Sequence, residues 1–300
     1  MKKFIVKILL FIAIVIAIDF GVGYVGDYLI SHVKSGDTKR TNDLVMNDCH
    51  DVLILGSSRA HHHYDTPFLS DTLGLDVYNA GYDGNGVILA YGLLELMLER
   101  YQPKLIIYDV EPTFDINVYE RDDNHKRYIS RLRPYYRHKA IGEIIEDVSS
   151  EEWYKVHSGM IRYNMSILTM LTENLRNDVD ERKGFSPLEG EYNREPDNKE
   201  TKGELDSFKL KYFEKLVTLA QTKQIPIIVV ASPKYGSSSS SCLEPVVDIC
   251  KQNNVEFYDY YADVEFMKHK EWFKEPMHLN NVGANEFSYR IYEKISFMLY

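Results

Sequence analysis

Asp51-Val-Leu-Ile-Leu-Gly56-Ser57-Ser58-Arg59-Ala60 is the stretch whose reading decides the fold. Four apolar residues stop at a glycine and hand over to two serines. That pattern predicts a buried parallel strand ending in a turn at the carboxyl edge of an open α/β sheet, where such folds keep their sites. Serines after a glycine are also ordinary turn chemistry. Weight comes from a second segment more than two hundred residues later, Glu275-Pro276-Met277-His278-Leu279-Asn280.

Outward from residue 51 the pattern keeps alternating. A second short strand is expected at 75–78, a helix at 86–101, and a third strand at 105–110 behind Pro103. A long helix follows at 204–221, a buried strand at 225–231, a helix near 243–253, a strand at 255–258 and a closing helix from about 281 to 300. Strands separated by helices of this length imply right-handed crossovers. The expected fold is therefore three-layer α/β/α around a mainly parallel sheet. Between 113 and 203 the alternation lapses. Residues 126–176 suggest several helices rich in Tyr and Arg, and 177–203 is a charged run with Pro187 and Pro196. This region is read as a solvated insertion, with a lid or docking surface as the functional alternative.

The N-terminus begins Met1-Lys2-Lys3 and continues with an apolar run from Phe4 to Ile18 broken only by Lys7. Residues 4–18 would span roughly 22 Å as a helix, and continuing to Val25 gives roughly 33 Å, enough for a ~30 Å hydrocarbon core. Asp19 is the awkward residue of that longer span. Gly21-Val22-Gly23 is a poor cleavage site, so an uncleaved signal anchor over residues 1–30 is expected, with a cleaved peptide as the alternative. Lysines at the start then place everything after residue 30 outside the cytoplasm. Residues 31–47, polar and aperiodic, read as a linker into a domain at 48–300.

The chain has 300 residues, 44% hydrophobic and 27% charged, enough for one large core. A net charge of -10 with no basic stripe argues against nucleic acid as a partner. Three cysteines, Cys49, Cys242 and Cys250, give no disulfide framework.

The chemistry of the two quoted segments is complementary. A serine hydroxyl needs a base. His278 is the candidate, with Glu275 three residues before it able to reach its other ring nitrogen and set tautomer and orientation. An oxyanion also needs backbone donors, and Asn79-Ala80-Gly81-Tyr82-Asp83-Gly84-Asn85-Gly86 follows the second strand with glycines that let a backbone approach closely. Asp109 and Glu111 at the end of the third strand are placed either as site residues or as a strand-end turn. His61-His62-His63 with Asp65 invites a metal reading. Three adjacent residues cannot all face one ion on a regular element, so no metal and no other cofactor is expected, and the histidines are read as flanking the cleft or capping the next helix. The serine run at 237–241 reads as a rim loop after Ser232-Pro233.

Together these segments resemble the SGNH/GDSL hydrolase superfamily. Gly56-Ser57-Ser58 is similar to its first block and places the nucleophile on Ser58. Residues 77–84 are similar to the second block, which implies an oxyanion hole from Ser58 and Gly84, with Gly81 as the alternative. Glu275-Pro276-Met277-His278 is similar to the fifth block, with His278 as base and Glu275 where aspartate is usual. The resemblance covers about residues 48–112 and 204–300 and implies an SGNH/flavodoxin-like sheet. The third block, Gly-x-Asn-Asp, has no counterpart after Asp109-Val110-Glu111, which leaves the hole one donor short. Losing such a donor typically costs ~2.7 to 4 kcal/mol. Arg59 could substitute or pair with an acid, and Asn79, Asp109 and Glu111 are the remaining residues expected to line the site. Both departures resemble the membrane-anchored branch of the superfamily, similar to D-alanyl-lipoteichoic-acid transfer proteins and polysaccharide O-acetyl esterase or transfer proteins. The resemblance implies an envelope serine esterase or acyltransferase acting on an acylated glycan or envelope polymer. Its alternative is a catalytically weak fold that binds glycan or partners a membrane-bound O-acyltransferase.

Overall fold

The computed structural model describes residues 1–164, 166–176, 182–194 and 203–299. Met1–Asn47 with Asp123–Val179 forms one compact unit, and Asp48–Asp122 with Asp180–Tyr300 forms the other. The part of the charged run at 177–181 and 195–202, including Pro196, lies outside the described residues.

In the first unit Lys2–Ser31 is a single helix, long and apolar enough to cross a membrane. Its apolar side chains from Phe4 to Ile18 are exposed. The Asp19 carboxylate accepts hydrogen bonds from Ser158 Oγ at 2.6 Å, Met160 N at 2.9 Å and Gly159 N at 3.1 Å. The hydrogen-bonding needs of the residue that is costly in a span are thus met by donors at the start of the Gly159–Arg162 helix. Gly23 and Gly159 let the two helices touch at the backbone, since a Cβ on Gly159 would lie 2.4 Å from Gly23 N. Further along, Ile30 packs with Tyr163 and Met170. Residues 36–47, read from the sequence as linker, form the Gly36–Asn42 helix and a π-helical turn at Asp43–Asn47 with Leu44 and Val45 buried. Their order depends on residues far along the chain: Tyr135 Oη donates to Asn42 Oδ1 at 2.7 Å, and Asn42 in turn donates to the Ile30 carbonyl. Nothing local announces such partners.

The second unit is built on five parallel strands in the order β2-β1-β3-β4-β5: β1 Val52–Gly56, β2 Val77–Asn79, β3 Leu105–Asp109, β4 Ile227–Ala231 and β5 Glu256–Asp259. Every residue of β1, β3 and β4 is buried, which is why these strands read as continuous apolar runs. Val52, Ile54, Leu105, Ile107, Ile228 and Val230 point to one face and share a core with Leu69 and Leu73 of the Thr66–Leu73 helix and with Phe287, Ile291 and Ile295 of the Asn281–Leu299 helix. The opposite face meets the Val87–Met97 and Ser207–Thr222 helices, as in the edge-on contact of Tyr108 with Phe213. Each such aliphatic side chain contributes about 1.5–3 kcal/mol on burial. A charge at Ile54 would therefore break the fold. With β2 at one edge and β1 beside it, the strand order reverses between β1 and the central β3, so the β1 and β3 carboxyl ends flank the crevice.

Strand ends differ from the sequence reading by one or two residues. The added element is an antiparallel hairpin, β6 Phe273–Glu275 and β7 His278–Leu279, in which Glu275 is paired with His278. The Val87–Met97 helix starts where it does because Asp115 Oδ1 accepts the Val87 N–H at 2.8 Å.

Candidate active site

Gly56 closes β1 with φ 146°, and a Cβ there would lie 2.5 Å from the Asp109 carbonyl oxygen of β3, so only glycine fits. Ser57 then caps the next helix, its Oγ accepting from Arg59 N at 3.3 Å, and the Ser58–His63 helix begins. Ser57 is wholly buried, whereas Ser58 is partly exposed. The two adjacent serines are therefore distinguished by the turn: one is a cap, the other is presented to the crevice. Ser58 N–H, in the first turn, has no intrahelical partner.

Ser58 Oγ lies 2.7 Å from His278 Nε2. On the other side of the ring, Nδ1 is hydrogen bonded to Glu275 Oε1, and Glu275 Oε2 accepts the Met277 N–H at 3.1 Å. A carboxylate accepts only, so Nδ1 carries the proton and Nε2 offers its lone pair to the serine hydroxyl. Burial works to raise the Glu275 pKa, but the hydrogen bond and charge of His278 hold it below the ordinary carboxylate range. The hairpin turn folds residues 275 and 278 back onto each other across two intervening positions.

The loop after β2 leans on this turn. Asn79 is fully buried; its Nδ2 donates to the Ala60 carbonyl at 2.6 Å and its Oδ1 accepts from Gly81 N at 3.0 Å. Gly81 N–H is thereby engaged within the loop. A Cβ on Gly81 would lie 2.6 Å from His61 N and 2.9 Å from the Ser57 carbonyl oxygen, so this glycine is the point of contact between loop and nucleophile turn. Tyr82 N donates to the Gly56 carbonyl at 3.1 Å, and Gly84 follows with φ 64° at the tip.

Beneath the pair lies a buried polar layer in which each proton can be placed. Leu279 N donates to His63 Nε2 at 3.0 Å, so the His63 proton is on Nδ1 and is donated to Ser232 Oγ at 2.9 Å. Ser232 Oγ also accepts from Arg59 Nε at 3.1 Å and donates to Asp109 Oδ1 at 3.1 Å, while Tyr64 Oη donates to Asp109 Oδ2 at 2.5 Å. Burial, with the Arg59 charge, pushes the His63 pKa well below its ordinary value. Burial raises Asp109 to about 6 despite the opposing charge of Arg59. Arg59 lies over the Tyr261 ring, and its Nη1 and Nη2 are buried without a hydrogen-bond partner among the described residues.

Of the residues expected to line the site, Arg59, Asn79 and Asp109 are therefore 0% exposed and Glu111 2%. They sit under the crevice and hold its walls. Glu111 caps the short Pro112–Asp115 helix by accepting from Phe114 N at 3.1 Å. Asp115, raised to about 7 by burial, accepts from Tyr108 Oη, Val87 N and Glu111 N. The position after β3 thus presents no side-chain amide to the crevice, in keeping with the lack of a third block.

His63, read from the sequence as flanking the cleft or capping the next helix, and Ser232, read only as preceding a rim loop, take a role the sequence did not assign: they fasten the base to the nucleophile. The one signal for it was position, since one closes the helix after Ser58 and the other follows β4 directly. The segment 182–192, expected to be a solvated run, is a strap. Asn79 N donates to Lys183 O at 2.9 Å, Ser186 N to His61 O at 3.0 Å and Tyr192 N to Phe273 O at 2.7 Å. Its polar composition hid this, because the partners are backbone groups. Asp65 caps the Thr66–Leu73 helix through Phe68 N.

No protein-family model matches the chain, and no curated protein is similar to it in sequence. Similar solved structures are described as GDSL-like hydrolases and esterases. One is a GDSL-like lipase from Bacteroides thetaiotaomicron VPI-5482, 11% identical over 87% of this chain and 98% of that one, with a TM-score of 0.45. Another is an acetyl xylan esterase, 10% identical over 81% of this chain and 99% of that one, with a TM-score of 0.42.

Proposed function

We propose that this chain is a membrane-anchored serine esterase or acyltransferase of the cell envelope. The reading is carried by one observation: Ser58 Oγ sits 2.7 Å from His278 Nε2 while Glu275 holds Nδ1. His278 takes the hydroxyl proton as Ser58 Oγ attacks an ester carbonyl carbon. The developing oxyanion is met by the backbone N–H groups of Ser58 and Gly84. Collapse expels the alcohol, which takes the proton from His278, and leaves acyl-Ser58. Water, or a sugar hydroxyl, is then deprotonated by His278 and resolves the acyl-enzyme. Hydrolysis and transfer use the same groups and differ in whether water is kept out. The exposed apolar helix Lys2–Ser31 supports a membrane location; an acylated glycan or envelope polymer as substrate and a membrane-bound O-acyltransferase as a partner are part of the proposal, drawn from the resemblance of the sequence blocks.

A second reading, a glycan-binding protein with weak or no catalysis, is favoured by the missing side-chain donor after β3. Labelling by an active-site fluorophosphonate separates the two. Labelled wild type, unlabelled Ser58→Ala and release of acetate from a model acetyl ester support the enzyme. No labelling and no ester cleavage, with glycan binding intact, would leave the second reading standing.

A further inference from the structure

The His61-His62-His63 run parts company in space. His63 turns inward to Ser232 and Leu279, whereas His61 and His62 turn together toward Asp83, which the loop after β2 brings from twenty residues away. His61 Nδ1 lies 2.8 Å from Asp83 Oδ1, and His62 Nε2 lies 3.2 Å from the same oxygen. One ligand atom from each of the three residues falls within 4.8 Å of the others. Adjacent residues on a helix can converge in this way because one presents its near ring nitrogen and the other its far one.

A second observation points to a cation. His62 Nδ1 lies 2.6 Å from the Ser186 carbonyl oxygen, which only accepts, so Nδ1 carries the proton. Nε2, aimed at Asp83 Oδ1 at 3.2 Å, then meets that oxygen either through a second ring proton or through a cation held between the two. A histidine whose other nitrogen donates to a backbone carbonyl is the usual arrangement of a metal ligand, because that bond sets the tautomer and the ring plane. Bonds of ~2.0–2.1 Å meeting at a tetrahedral angle put donor atoms ~3.3 Å apart, close to the two His–Asp83 spacings, and the three ligand atoms, all within 4.8 Å of one another, would draw together on binding. Two imidazoles and one carboxylate suit zinc, with the fourth position left to solvent.

We infer that His61, His62 and Asp83 form a zinc site on the wall of the crevice. Its ligands join the Ser58–His63 helix to the turn that carries Gly84, and the His62 ring lies 5.3 Å from the His278 ring. Zinc would therefore fasten the loop after β2 to the nucleophile helix. The assignment is independent of the ester chemistry, since it concerns binding alone.

The test is calorimetric titration of zinc into the tag-free, chelator-stripped full chain in detergent. Wild type and Ser58→Ala are expected to bind one zinc per chain with micromolar or tighter affinity and to gain thermal stability. Asp83→Asn, at an exposed position that should leave folding intact, is expected to weaken binding by about tenfold or more, and His62→Ala to abolish it. Absence of a stoichiometric site, or one that Asp83→Asn leaves unchanged, would overturn the inference and leave a hydrogen-bonded His-Asp pair.

Discussion

Leu279, one residue after the candidate base, donates its backbone N–H at 3.0 Å to Nε2 of His63, five residues after the candidate nucleophile. That single bond joins the hairpin that carries His278 to the helix that carries Ser58. With the His63 proton thereby on Nδ1, His63 donates to Ser232 Oγ and the Ser232 hydroxyl donates to Asp109, so the separation of base and nucleophile is set by a buried layer in which each bond fixes the next.

Ser58→Ala is expected to reduce ester hydrolysis by about 10³-fold or more, and Glu275→Gln by about 10²- to 10⁴-fold, because an amide at 275 can hold His278 in the wrong tautomer. Steady-state rates on an aryl acetate check both. A Glu275→Gln enzyme as fast as wild type would remove Glu275 from the site.

Gly81→Ala drives a methyl group against His61 N, the Ala60 side chain and the Ser57 carbonyl. The expected cost is about 1–3 kcal/mol of stability and a fall in kcat larger than any change in KM, as the nucleophile turn is displaced. Unchanged kcat in a folded variant would show that the contact is not shared by loop and turn.

His63 also sets a pH dependence. Its pKa is depressed in the fold by burial, so below the ordinary value of 6.5 the unfolded chain binds a proton that the native chain does not. The stability it contributes is full above 6.5 and is lost as pH falls, by up to about 1.4 kcal/mol per pH unit. Asp109, raised to about 6, acts with the opposite sign, so the readout is the difference between wild type and His63→Gln. That difference should shrink by about 1 kcal/mol between pH 7 and pH 5.5 in denaturant unfolding. A difference independent of pH would mean that His63 is not held neutral.

Cys49 is exposed, Cys250 buried. With the Lys2–Ser31 helix in the membrane and the domain outside, a membrane-impermeant maleimide should label Cys49 in intact cells, and Cys49→Ala should abolish most of that labelling. Labelling only after lysis would place the domain in the cytoplasm.

Much of the fold was legible because buried parallel strands have to be continuous apolar runs: Val52–Leu55, Leu105–Tyr108 and Ile227–Val230 admit no other reading once helices separate them. Residues 36–47 and 182–192 were not legible. Their order comes from bonds to Tyr135 and to the backbone of β2 and β6, and polar segments carry no periodic signature of a distant partner.

The sequence by itself determined the chemistry on offer at Ser58, Glu275 and His278, since hydroxyl, carboxylate and imidazole are residue types at fixed spacing. Only the tertiary structure decided which groups meet. It separated Ser57 from Ser58 by making one a helix cap. It put Arg59, Asn79, Asp109 and Glu111 beneath the crevice, sent His63 inward, and turned His61 and His62 toward Asp83. The reason is that a helix start and a strand end set side-chain direction to within a fraction of a turn, and direction relative to a neighbouring loop is not a property of any one segment.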